Sequence, residues 1–190
     1  MTHPLHKLCL VGVFLAIAPA LFAQSASASR AARSGNEAYD EGDHKKALKH
    51  YERALEKGMK DPRLRFNKGD ALYQLDKYAD AARTFKNIAR ESEKSPLKAK
   101  AYHNLGNAQL RAGKLDKSIE AYKNALRIDP RDEETRYNLA LAKRLKKKKR
   151  KKKKRNKKQR KKKQKRNQKK KKGNKKKRKG KKGNKRKKKS

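Results

Sequence analysis

Asn67, Asn104 and Asn138 stand at intervals of 37 and 34 residues, each two positions before a small residue: Gly69, Gly106 and Ala140. Asn36 and Asn107 directly follow Gly35 and Gly106. A carboxamide both donates and accepts hydrogen bonds, so a row of them can pair with an extended peptide backbone without reading its side chains. Catalysis needs a convergent set of titratable or nucleophilic groups instead. His44, His50 and His103 have no partners at metal-ligand spacing and no glycine-rich phosphate loop beside them. The chemistry on offer is binding, with no cofactor and no small-molecule substrate. A second binding chemistry is bare charge. Lys146, Lys147, Lys148, Lys149, Arg150, Lys151, Lys152, Lys153, Lys154 and Arg155 open a run to Ser190 in which Lys and Arg are broken only by Asn, Gln and Gly. Such a run takes polyanions: nucleic acid, anionic lipid headgroups or acidic envelope polymers, held by attraction that weakens with salt. It has no aromatic residue to stack on a base, which argues against sequence-specific reading of nucleic acid.

These groups sit on a chain of 190 residues with 62 Lys and Arg against 18 Asp and Glu, net +44. The charge is lopsided. Residues 143–190 hold 36 Lys and Arg and no acid, which leaves only +8 for residues 1–142. The middle of the chain, rich in Ala, Leu and Tyr, is long enough for one small domain. A single cysteine excludes an intramolecular disulfide framework and a cysteine-based zinc site. The tail has nothing to bury and like charges at i,i+4, so it is expected to be an extended, disordered polycation.

Within the middle, four series share one register: Gly35, Gly69, Gly106; Ala47, Ala81, Ser118; Tyr51, Phe85, Tyr122; Ala54, Ile88, Ala125. Each steps by 34 and then 37 residues. Gly and Ala let two helices approach closely, and the aromatic, one turn along the second helix, fills the space between units. Gly42-Asp43, Asp76-Lys77 and Gly113-Lys114 fall at equivalent turns, where Gly or Asp tolerates a left-handed backbone. The unit is a helical hairpin, used three times.

SGNEAYDEGDHKKALKHYERAL, FNKGDALYQLDKYADAARTFKNIA and AYHNLGNAQLRAGKLDKSIEAYKNALRIDP resemble the tetratricopeptide repeat family, whose period is 34 residues. The resemblance implies an all-α solenoid of three repeats plus a capping helix, with a concave groove lined by first helices that holds a protein or peptide partner. Repeat three matches best, through Tyr102, Leu105, Gly106, Tyr122, Ala125 and Pro130. Ala31 and Ser34 in repeat one, and Arg65 and Lys68 in repeat two, replace an aromatic and a Leu, which implies looser packing of those first helices. Pro62 and Pro96 fall three positions late, which predicts longer turns after repeats one and two. The groove also partly resembles the carboxylate clamp that some of these domains close on a peptide's C-terminal acid. Asn36, Asn67 and Lys100 match it, while Ala32 and Asn104 stand where it has Lys and Arg, so two of five groups are absent.

The expected organisation is a signal peptide over 1–23, a linker over 24–29, repeats over 30–61, 62–98 and 99–132, a capping helix over 133–145 and the basic tail over 146–190. Leu8–Ala18 is an apolar run too short to span a membrane, and cleavage is expected after Ala23, or after Ala28 where Ala26-Ser27-Ala28 gives small-x-small. In the cap, Tyr137, Leu139, Leu141 and Leu145 are available for packing. The leader, KAKAYHNLGNA, and RYNLALA running into a low-complexity tail resemble the tetratricopeptide repeat proteins of bacterial aerotolerance (Bat) operons, whose tails are Gln-rich where this one is Lys-rich. That resemblance implies an exported, periplasmic scaffold at the membrane surface, working beside a von Willebrand factor A domain membrane protein.

Overall fold

The structure is a computed structural model that describes residues 24–187 apart from 92 and 94, and the backbone alone at 166 and 168–187. The expected signal peptide lies outside the described residues. Seven helices and no strand occur among those described: α1 (24–40), α2 (His44–Glu56), α3 (Pro62–Gln74), α4 (Tyr78–Glu91), α5 (Pro96–Arg111), α6 (Leu115–Ile128) and α7 (Glu133–Lys187). The chain divides after Lys143 into two compact units.

In the first unit, α1/α2, α3/α4 and α5/α6 are the three hairpins. Each closes through a three-residue turn whose middle residue has positive φ: Gly42 at 81°, Asp76 at 58° and Gly113 at 71°. The turn equivalence read from the sequence is therefore a shared left-handed backbone position. The Gly series has a steric cause. A Cβ on Gly35 would come within 2.5 Å of the Tyr51 ring, one on Gly69 within 2.7 Å of Phe85, and one on Gly106 would collide with Tyr122. First helix and second helix meet at that glycine–ring contact in every repeat. Ala47, Ala81, Ser118, Ala54, Ile88 and Ala125 are buried with the rings.

Helix starts explain the two prolines. Asp61 caps α3 by accepting from the Arg63 N–H at 2.8 Å, and Ser95 caps α5 by accepting from the Lys98 N–H at 3.3 Å, with Pro62 and Pro96 in the first turn. There the missing N–H costs nothing and the fixed φ favours the helix. Both prolines open the next repeat; they do not close the previous one late.

Residues 24–29 are helical, not a linker. Packing holds them helical: Ala28 and Ala31 are buried on one face, and the Gln24 side chain donates to the Lys57 carbonyl at 3.3 Å. In α3, Arg65 pairs with Glu91 of α4 and Lys68 with Glu52 of α2 at 3.0 Å, where apolar packing would otherwise stand. Half-exposed ion pairs of this kind stabilise little.

Of the residues expected to pack the cap, Leu139 and Leu141 are half-buried while Tyr137 and Leu145 are exposed. Thr135 and Ala142 are fully buried, Asn138, Leu139 and Leu141 half-buried, and Tyr137 is 69% exposed. Thr135, Asn138, Leu139 and Ala142 form one i, i+3, i+4, i+7 stripe. Tyr137 lies off it.

In the second unit the backbone keeps helical geometry to Lys187, where the sequence predicts an extended, disordered polycation. Every described side chain from Lys147 to Lys165 is exposed, so no burial accompanies that geometry. A helix with like charges at i,i+4 and no packed face is marginal in water. The segment has no fold of its own, as its composition predicts. Among the described residues, no helix is long and apolar enough to cross a membrane.

Candidate functional site

Within α3 and α5, residues two before and one after the ladder glycine are three apart and share a helix face. Asn67 and Asp70 stand so on α3, Asn104 and Asn107 on α5. Each helix donates backward and accepts forward. Asn67 Nδ2 donates to Asn36 Oδ1 at 3.0 Å, Asn104 Nδ2 to Asp70 Oδ1 at 2.8 Å, and Asn138 Nδ2 to Asn107 Oδ1 at 3.2 Å. All five asparagines predicted as a site are thereby brought together, with Asp70 as the missing acceptor of repeat two. Lys100 is exposed on α5, one turn before Asn104.

The carboxamides are not a row open to a peptide on every side. Asn36 Oδ1 also accepts from the Tyr51 hydroxyl at 3.0 Å, and Asn107 Oδ1 from the Tyr122 hydroxyl at 2.6 Å. Those two oxygens use their acceptor capacity on the tyrosine of their own repeat and the asparagine of the next first helix, and what remains on Asn36 and Asn107 is donor capacity. Repeat two differs. Phe85 carries no hydroxyl, so Asp70 receives the single bond from Asn104.

Asn36, Tyr39, Asp40, Tyr51, Asn67 and Asp70 line a cavity of about 310 Å³. Burial pushes the Asp70 carboxyl up to about 7, with the bond from Asn104 opposing the rise. Burial, and then the neighbouring Tyr39, Asp40 and Asp70, push the Tyr51 phenol up to about 12. Burial likewise raises Tyr122. The missed residue had a signal: Asp70 follows Gly69 as Asn36 follows Gly35 and Asn107 follows Gly106. A search for one residue type passes over it. Asn104, which stands where a carboxylate clamp has Arg, is tied to a carboxylate, so this groove does not assemble that clamp.

His103, expected to face the groove or solvent, is turned to the cap. Its Nδ1 lies 2.5 Å from the Thr135 hydroxyl, its Nε2 3.4 Å from Glu134, and its ring meets Tyr122 edge-on with centroids 6.0 Å apart. Asp132 accepts from the Thr135 N–H at 2.9 Å and caps α7. Burial would raise the Asp132 carboxyl, but the Thr135 bonds and His103 outweigh it and hold it below its ordinary value. Among the described residues, no group of three or more His, Cys, Asp or Glu is placed to hold a metal. Of the polyanion residues, Lys147 to Arg155 are exposed and Lys146 is half-buried.

Hairpins repeated in register around a glycine–aromatic contact match the tetratricopeptide repeat profile over residues 33–96, 67–133 and 103–145, more than half the chain. The chain belongs to the tetratricopeptide repeat family. It is 29% identical over 119 residues to Protein STIP1 homolog of Dictyostelium discoideum, which covers 60% of this chain and only 21% of that protein. The solved TPR2AB domain of yeast Sti1, in complex with an HSP90 peptide, superposes with a TM-score of 0.57 at 26% identity, covering 65% of this chain and 48% of that one. The second such domain of human RPAP3, solved with an HSP70 peptide SGPTIEEVD, gives 0.56 at 21% identity, covering 65% and 98%. At that identity the likeness is one of fold.

Proposed function

We propose that this tetratricopeptide repeat protein is a non-catalytic scaffold that holds an extended peptide segment of a partner protein in its groove. The observation that carries this is the polar ladder from Asn36 to Asn138, with its cavity beside α1 and α3. Complexes of related repeats with HSP90 and HSP70 peptides support the groove as the binding face. Carboxamides exchange no protons near neutral pH, and Asp70 has Asn104, not a nucleophile or proton donor, as its hydrogen-bond partner. The protein is exported to a bacterial envelope, and a von Willebrand factor A domain membrane protein is the first partner to test. A pull-down from envelope extract at high salt, comparing wild type with a variant carrying Asn67→Ala, Asn104→Ala and Asn138→Ala, tests the groove. A discrete partner lost from a variant that still melts cooperatively is the expected outcome; capture unchanged in the variant rules the groove out.

A second reading rests on the exposure of every described side chain from Lys147 to Lys165. The tail attaches the protein to an anionic surface, at about 1 kcal/mol per basic residue engaged. Flotation with anionic and with neutral lipid vesicles tests it. Salt-sensitive binding to the anionic vesicles, absent after deletion of residues 146–190, is expected, and equal binding to both kinds overturns it.

A further inference from the structure

The polar ladder changes character at repeat two, and the change describes a ligand. Asn36 and Asn107 each receive two hydrogen bonds on one oxygen, whereas Asp70 at the same register receives one. A carboxylate has about four acceptor sites, so most of Asp70's capacity is unused. Among the described residues no Lys, Arg or His lies within ion-pair distance of it. A second carboxylate, Asp40, and the phenols of Tyr39 and Tyr51 line the same cavity. Asp70 is half-buried; a carboxylate partly withdrawn from water without a counter-charge is costly, and an incoming cation removes that cost. The aromatic rings add a face on which a cation can rest.

We propose that this cavity is the specificity pocket of the groove, taking a lysine or arginine side chain of an extended partner peptide against Asp70 and Asp40. The inference depends on the peptide-binding function proposed above and names the residue class that function selects. It also states what the groove rejects, because two carboxylates repel a peptide's C-terminal acid. The protein's overall charge of +44 attracts acidic peptides, so a preference for a basic one cannot come from that charge. Cation binding removes the proton that Asp70 holds near its pKa of about 7, so affinity rises with pH through that value. The other titratable groups facing the pocket are Tyr39 and Asp40 on α1 and Tyr51 on α2; α4 meets α3 through Phe85, and α5 presents Asn104.

The test uses the full chain in about 0.5 M salt, where screening leaves only close charge contacts. The probes are labelled, end-blocked peptides with an uncharged background and a central Lys, Arg, Gln or Glu, read by fluorescence anisotropy. Lys and Arg peptides are expected to bind about tenfold tighter than the Gln peptide. Asp70→Asn keeps the bond from Asn104 and so should fold, which a melt checks, yet it should remove that difference. Phe85→Tyr, which supplies Asp70 with an internal donor, should reduce it. Lowering the pH from about 8 to about 5.5 should weaken the Lys peptide and leave the Gln peptide unchanged. Equal or tighter binding of the Gln or Glu peptides, lost in the triple Asn-to-Ala variant, leaves the groove a peptide site and overturns the cation pocket. A Lys preference that survives Asp70→Asn overturns it too. No binding of any probe overturns the groove itself and the pocket with it.

Discussion

In repeats one and three a tyrosine hydroxyl reaches from the second helix to the asparagine that follows the first helix's glycine; in repeat two Phe85 has no hydroxyl and the corresponding residue is Asp70. All three rings are buried to the same degree, each against the glycine at the equivalent position of its repeat. Packing is thus indifferent to the hydroxyl, and the polar half of the position can change without disturbing the hairpin. Repeats one and three use that polarity to tie the second helix to the first within the hairpin. Repeat two leaves it under-satisfied, facing a cavity.

The largest expected effect tests what the repeats share. Gly106→Leu drives a side chain into the Tyr122 ring and should cost about 3 kcal/mol or more, lowering Tm by roughly 10 °C. Gly35→Leu and Gly69→Leu should do the same in circular dichroism melts, and a tolerated leucine at any of the three breaks the equivalence. Asp70→Asn tests what they do not share. A carboxyl whose folded pKa is raised to about 7 favours folding below its unfolded pKa, and that advantage is lost as pH rises through about 7. The variant should therefore gain on the order of 1 kcal/mol or more at pH 8 and nothing near pH 4. Equal melts at both pH values would place Asp70 in water. Phe85→Tyr makes repeat two resemble its neighbours. It should add about 1 kcal/mol at pH 8 and lower the Asp70 titration midpoint seen by carboxyl NMR, whereas Tyr122→Phe should remove a similar amount. The smallest effect concerns Ser118, whose buried hydroxyl has no hydrogen-bond partner where repeats one and two have Ala47 and Ala81. Ser118→Ala should gain about 0.5 kcal/mol in urea unfolding, and a loss would show that the hydroxyl is satisfied in solution.

Much of this architecture was legible in the chain. The Gly, small-residue and aromatic series, the left-handed turn positions and the three-hairpin count follow from contacts within one hairpin, which recur at constant sequence separation. A Pro at a boundary was less informative. It suits the first turn of a helix as well as the end of the previous one, and only the caps from Asp61 and Ser95 show which. Tyr137 misled because size suggests burial, while the docking stripe of α7 is set by helix phase and runs through Thr135 and Ala142.

The site divides along the same line. By itself the sequence determined that carboxamides recur on one face of the first helices, because a period near 34 residues in a hairpin returns each position to the same place. Tertiary structure alone decided which oxygen each amide finds: Asn36 for Asn67, Asp70 for Asn104, Asn107 for Asn138. It also turned His103 to the cap and left Asp70 with one bond beside a cavity. Those outcomes depend on the rotation between successive hairpins, a packing quantity that no single hairpin's sequence contains.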